Sequence, residues 1–276
     1  MRGRAVAKPR HNPPVVRAIC VLSIAGSDSS GGAGIQADLR TFAALGVHGL
    51  SAVTAITAQN TARVRSIHRI PIKHLQTQLD AAAAEFDIAA VKIGMLGSAA
   101  AVTAAARFVR ERTCPVVLDP VLISSSGTRL LPAAALGILI DELIPLAHVL
   151  TPNLPEAIAL LGSRSPAKHP ATVLARELLA LGPRAVLLKG GHSAADPVCD
   201  YLAQATGTRV YRHRRLPYSS RGTGCTLSAA IAAYLACGMT IPAAVAAAER
   251  HLQRVMIAAY LAGNETTRLL GPLTRR

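Results

Sequence analysis

Two glycine-rich stretches carry residue types that can hold a ligand at a helix start: IAGSDSSGGAGIQADL, residues 24–39, and RGTGCTLSAAIAAYLA, residues 221–236. In the second, Gly222 and Gly224 permit a tight turn, and the apolar residues beyond them continue as a helix. The free amide groups and the positive dipole end of such a helix hold an anion. Thr223 adds a hydroxyl donor. Cys225 stands at the helix start, where the dipole is expected to lower a thiol pKa; a base, a member of the anion cradle and a small packing residue are its possible roles. A cradle of this kind suits phosphoryl transfer, in which negative charge must be stabilised as the group moves between oxygens. The first stretch lacks both the Lys-Ser/Thr of a P-loop and the G-x-G-x-x-G of a dinucleotide fold, so its ligand has to be argued from the rest of the chain.

The elements that must position these residues follow from short apolar runs, each ending in small or polar residues. AICVLSIAG, GLSAVTAI, AAVKIGM, PVVLDPV, AHVLTPN and AVLLKGG read as buried strands. Between them lie helical patterns. After the first glycines, Ile35, Leu39, Phe42 and Ala43 share an apolar face, with Gln36, Asp38 and Arg40 opposite. Leu75, Leu79 and Ala82 repeat the pattern after Pro71. This alternation predicts a doubly wound, mostly parallel sheet with helices on both faces, a three-layer α/β/α unit. The stretch CDYLAQATGTRVYRHRRL alternates around a Thr-Gly turn and predicts an antiparallel hairpin at one sheet edge. Ligands of such sheets gather beyond the carboxyl ends of the strands. Gly26 and Asp28, Gln59 and Asn60, Gly94 and Met95, Asp119, Asn153 and Glu156, and Lys189 all fall at those ends, which makes one shared site the expectation.

The 276 residues suffice for one domain, residues 18–276, behind a basic and flexible tail over residues 1–17. Thirty Lys and Arg against fifteen Asp and Glu give a formal charge of +15. The basic residues cluster without aromatic interleaving, which argues against nucleic acid and favours anionic small molecules. Five scattered cysteines without a C-x-x-C pair point to a reducing cytoplasm rather than a disulfide framework. Residues 226–248 carry no formal charge over a span long enough for a bilayer. Gly238 and Pro242 interrupt it, so it reads as two buried helices and no membrane span is expected.

Taken together and in order, IAGSDSSGGAGIQADLRTFAALGVHG, TAITAQNT, VKIGMLG, VVLDPV, LTPNLPEA, VLLKGGH and GTGCTLSAA resemble the hydroxymethylpyrimidine/phosphomethylpyrimidine kinases of thiamine biosynthesis, members of the ribokinase-like superfamily. The resemblance implies ATP and Mg2+ as cofactors. The substrate it implies is 4-amino-5-hydroxymethyl-2-methylpyrimidine, phosphorylated first on its hydroxymethyl group and then on the resulting monophosphate. By motif match, Gln59 hydrogen-bonds the aminopyrimidine, while Gly26, Ala33, Met95 and Val121 wall its pocket, so that the first glycine-rich turn closes over the ring. Asp28 and Asp38 either touch substrate or cap and salt-bridge the helix start.

On the nucleotide side the resemblance implies that Asn153 and Glu156 arrange magnesium and its waters. Asp119 supplies a further acid near the phosphates, and Lys189 places its charge on them. Gly222, Thr223, Gly224 and Cys225 form the anion cradle, with Cys225 beside the acceptor oxygen. A homodimer is implied as well. Two features depart from the family lettering. Arg221 stands where His is common, and LISSSGTRLL lacks the usual Lys and Asp, which leaves Ser124 to Ser126 and Thr128 to contact phosphate or ordered water. A pyridoxal kinase of the same superfamily is the nearest alternative, and a non-catalytic binding protein is the alternative from another class.

Overall fold

Alternation along the first strand, β1 (Cys20–Asp28), divides the core in two: Leu22 and Ile24 enter one apolar cluster and Val21 the other. The computed structural model describes residues 17–124, 126–162, 169–191, 196–263 and 266–271. In chain order the elements are β1, α1 (Gly34–Ala44), β2 (His48–Gln59), β3 (Val64–Arg69), α2 (Ile72–Glu85), β4 (Ile88–Ile93), α3 (Ala99–Arg110) and β5 (Val116–Leu118). A run of short helical turns containing α4 (Leu136–Ile138) leads to β6 (Val149–Leu150), α5 (Leu154–Leu161), α6 (Ala171–Leu179) and β7 (Ala185–Leu188). Then come β8 (Val198–Gln204), β9 (Gly207–His213), β10 (Ser220–Arg221), α7 (Thr223–Ala236), α8 (Ile241–Ile257) and β11 (Arg268–Leu269).

The nine-stranded sheet has the order β3-β2-β1-β4-β5-β6-β7-β8-β9. β2, β1, β4, β5, β6 and β7 pair in parallel, as the apolar runs predict. The expected hairpin is β8–β9, antiparallel at one edge. The other edge carries β3, antiparallel to β2 and not anticipated from VRSIHR, whose side chains stay largely exposed and so lack a clear apolar alternation. Helices α2, α3, α5 and α6 cover the face of Leu22, while α1, α7 and α8 cover that of Val21. This is the three-layer α/β/α arrangement. From β1 the chain moves outward to β2 and then back across to β4, so strand order reverses between β1 and β4. That switch opens a crevice beyond the carboxyl ends of the two strands.

The uncharged stretch over 226–248 divides into α7 and α8 around Gly238, and among the described residues no helix is long and apolar enough to cross a membrane. Residues 1–16 lie outside the described residues, so the expected tail is left as a reading of the sequence.

Candidate active site

Asp28 at the end of β1 organises the first glycine-rich turn from within. Its Oδ1 accepts from the Ser30 amide at 2.8 Å and the Ser30 hydroxyl at 2.7 Å, and its Oδ2 from the Ala33 amide at 2.8 Å. With both oxygens engaged in this way, Asp28 shapes the turn; of the two roles expected for it, this is the capping one. Gly34, at φ 58°, lies so close to the Gly26 carbonyl that an added Cβ would stand 2.3 Å from that oxygen. Gly222, at φ 79°, meets the Gly32 carbonyl in the same manner, its Cβ position 2.0 Å away. The two glycine-rich motifs, distant in sequence, thus pack backbone against backbone, and only glycine permits either approach.

Behind the start of α7, Lys189 Nζ donates to Asp119 Oδ1 at 2.8 Å, with Thr151 Oγ1 3.3 Å from the same oxygen. Gly224 faces this pair. A Cβ there would lie 3.2 Å from Lys189 Nζ and 3.5 Å from Asp119 Oδ2, so the first turn of α7 seats directly on a charge pair of a buried aspartate and a half-buried lysine. Beside it, Asn153 and Glu156 form a reciprocal capping box at the start of α5: the Asn153 amide donates to Glu156 Oε2 at 2.8 Å and the Glu156 amide to Asn153 Oδ1 at 2.9 Å. Burial pushes the Glu156 carboxyl up to about 7, with Lys189 pulling against it and Asp119 adding to it. Asp119, Lys189, Asn153 and Glu156 are therefore one cluster.

On the other side of the cradle, a Cβ at Gly26 would lie 3.0 Å from Met95 Sδ, and Met95 packs with Ala55, Leu130 and Val121 in a small apolar cluster of its own. Of the expected pocket walls, Gly26, Met95 and Val121 come together here at the strand-order switch, while Ala33 caps α1 beside Gly222. Gln59 stands above them at the end of β2, its Oε1 accepting from an Arg221 Nη at 3.0 Å. Arg221 also approaches Asp28 Oδ2, Nε at 3.7 Å. It joins the β2 end, the glycine turn and the cradle, a linking role not visible in its lettering. Asn60 closes a local turn instead, accepting from the amides of Ala62 and Arg63. Ser124 and Ser126 bond to each other at 2.9 Å, and Ser124 also accepts from the Thr128 amide; Ser125 lies outside the described residues.

Two expectations need correction. Asp38, assigned by periodicity to the polar face of α1, is fully buried, because Lys92 near the carboxyl end of β4 bonds both its oxygens at 2.9 and 2.8 Å and Ser23 Oγ donates at 2.6 Å. Both Asp38 oxygens are thus engaged inside the protein, and neither caps the start of α1. A lysine inside the apolar run AAVKIGM asks for just such a buried partner, a signal the helical pattern overrode. The Cys225 thiol is not lowered either. Burial pushes it up to about 11, outweighing the downward pull of Lys92 and of the Gly34 amide. The dipole gain at a helix start is small beside the cost of a thiolate packed among protein atoms in a site only partly open to water.

A family model described as phosphomethylpyrimidine kinase matches residues 28–269. The chain belongs to the phosphomethylpyrimidine kinase family. It is 46% identical over 241 residues to the hydroxymethylpyrimidine/phosphomethylpyrimidine kinase of Rhizobium meliloti, covering 86% of this chain and 90% of that one. Among solved structures, the phosphomethylpyrimidine kinase of Clostridium difficile shares 40% identity at a TM-score of 0.75, covering 86% of this chain and 99% of that chain. The Bacillus subtilis pyridoxal kinase in an ADP complex shares 31% identity at a TM-score of 0.81, with 92% and 96% covered. Both neighbours support the ribokinase-like architecture expected from the motifs.

Proposed function

We infer that this chain transfers the γ-phosphoryl group of ATP to the hydroxymethyl oxygen of 4-amino-5-hydroxymethyl-2-methylpyrimidine, and then a second phosphoryl group to the monophosphate. The observation that carries the reading is the contact of Gly222 with the Gly32 carbonyl. It brings the turn expected over the ring against the cradle expected to hold the moving phosphoryl group, as direct transfer between two bound substrates requires. The amides opening α7 stabilise the transferred group and Lys189 neutralises the nucleotide phosphates.

Magnesium fits the donor set. Asp119 Oδ2 has no hydrogen-bond partner among the described residues and offers a hard oxygen. Glu156, held in its capping box, is suited to accept from metal-bound waters. When bound, the ion neutralises charge on the phosphate oxygens. With a pKa of about 11, Cys225 stays a thiol at neutral pH and serves the cradle as a donor rather than as a thiolate. Cys225→Ala is therefore expected to retain the fold and to lose at most about 10²-fold in turnover, the lower range for an oxyanion donor. An unchanged rate would make the residue structural only.

Two further results are expected. Gln59→Leu weakens pyrimidine binding by roughly tenfold or more while leaving ATP binding nearly unchanged, since one edge of the ring loses its polar partner; calorimetric titration with each ligand separates the two, and equal losses reject the assignment. The second concerns pH. The folded protein holds the Glu156 proton more tightly than a free carboxyl does, so this group's contribution to stability declines as pH rises above the ordinary carboxylate range towards about 7. The ionised form that accepts from metal-bound waters becomes populated through the same range. Affinity for ATP with magnesium should rise with an inflection near 7, and Glu156→Gln should flatten that profile in a titration series.

The function itself is tested by supplying the pyrimidine, its monophosphate and pyridoxal separately with ATP and magnesium and identifying the products. Sequential mono- and diphosphate formation is the expected outcome. A preference for pyridoxal would move the chain to the activity named for its Bacillus subtilis neighbour.

A further inference from the structure

Away from the cradle, Asp200 on β8, His213 at the end of β9 and Glu249 on α8 each turn one metal-binding type of atom toward a common point, all within 4.8 Å of one another. Glu249 is 6% exposed, and among the described residues no donor group bonds either of its oxygens, which have the Asp200 carboxyl beside them. His213 Nδ1, 3.7 Å from Glu249 Oε2, is likewise unbonded. Burial, and then the neighbouring Asp200 carboxylate, push Glu249 well above the usual carboxylate range. Two buried carboxylates close enough to share a proton, beside an imidazole nitrogen that bonds to neither, need a shared positive charge. A proton can bridge two of the three groups; a divalent cation can join all of them. Asp200 is oriented for this by the Gly190 amide, which donates to its Oδ1, the kind of outer support that metal ligands have. A cleft of about 540 Å³ between β9 and α8 reaches His213 and Glu249, and the arginines along it bond neither Glu249 oxygen.

We propose that Asp200, His213 and Glu249 form a binding site for a divalent transition-metal ion of the zinc class, with its remaining coordination open to the cleft. Mixed imidazole and carboxylate ligands suit such an ion, whereas magnesium prefers oxygen donors and retains its waters. In a tetrahedral site with bonds of about 2.0 Å the ligand atoms stand about 3.3 Å apart, so the His213–Glu249 pair closes with a small movement. Because Asp200 holds Gly190, the ion would also brace the turn that follows Lys189.

The test is titration of the metal-stripped full chain with Co2+, then Zn2+, in excess Mg2+. One equivalent of Co2+ should bind, with visible bands lacking thiolate charge transfer, and Zn2+ should displace it. His213→Gln and Glu249→Gln should each weaken binding by more than about 100-fold, beyond the usual effect of an outer-shell change, with circular dichroism and melting temperature retained. If one variant fails to fold, the other answers the same question. Binding unchanged in the folded variants locates the ion elsewhere and overturns the proposal. Absence of stoichiometric binding overturns it too, leaving a proton between Asp200 and Glu249. Neither readout depends on phosphoryl transfer.

Discussion

Replacing Lys92 by Met is expected to lower stability by about 3–5 kcal/mol, the range for breaking a buried ion pair from one side. Lys92 and Asp38 are both 0% exposed, and the lysine's ammonium group supplies two of the three hydrogen bonds that Asp38 receives. Without Lys92 the carboxylate keeps only the Ser23 hydroxyl, and it must either stay charged in an apolar layer or take up a proton. The double variant Lys92→Met/Asp38→Leu should recover a large part of the loss, because removing both charges also removes the cost of burying them. Urea denaturation measures this, with the midpoint shifting at constant slope. A single-variant loss under about 1 kcal/mol would mean that water reaches the pair, a result the burial of both side chains argues against.

Gly222→Ala should reduce turnover by about 10²–10³-fold. The added methyl would stand 2.0 Å from the Gly32 carbonyl oxygen, so either the cradle or the glycine turn must move, and the amides opening α7 are displaced from the transferring group. Gly238 supplies the control. Its φ of 80° matches the 79° of Gly222, yet no other atom of the described residues lies within 4 Å of its Cβ position. Gly238→Ala therefore carries the backbone strain alone, about 1–3 kcal/mol, without loss of turnover in the folded fraction. Steady-state rates for both variants, normalised to folded protein, distinguish the two effects. Equal losses would trace the Gly222 effect to strain rather than to contact with Gly32.

The parallel strands, their flanking helices and the placing of polar residues at strand ends were legible in the sequence, because each rests on local pattern: an apolar run that ends in glycine, asparagine or aspartate marks its own function wherever it sits. The motif order sufficed for the family as well. Which residues face one another was decided only by the tertiary structure. Asp38 reads as a solvent-facing helix residue until Lys92, on another strand, comes into contact with it. Cys225 reads as an activated thiol until burial outweighs the helix dipole. Arg221 reads as a mere departure from a motif until it meets Gln59 and Asp28, and nothing in the spacing of Asp200, His213 and Glu249 connects them. Charge and burial depend on distance in space and on access to water, and the distance between residues along a chain fixes neither.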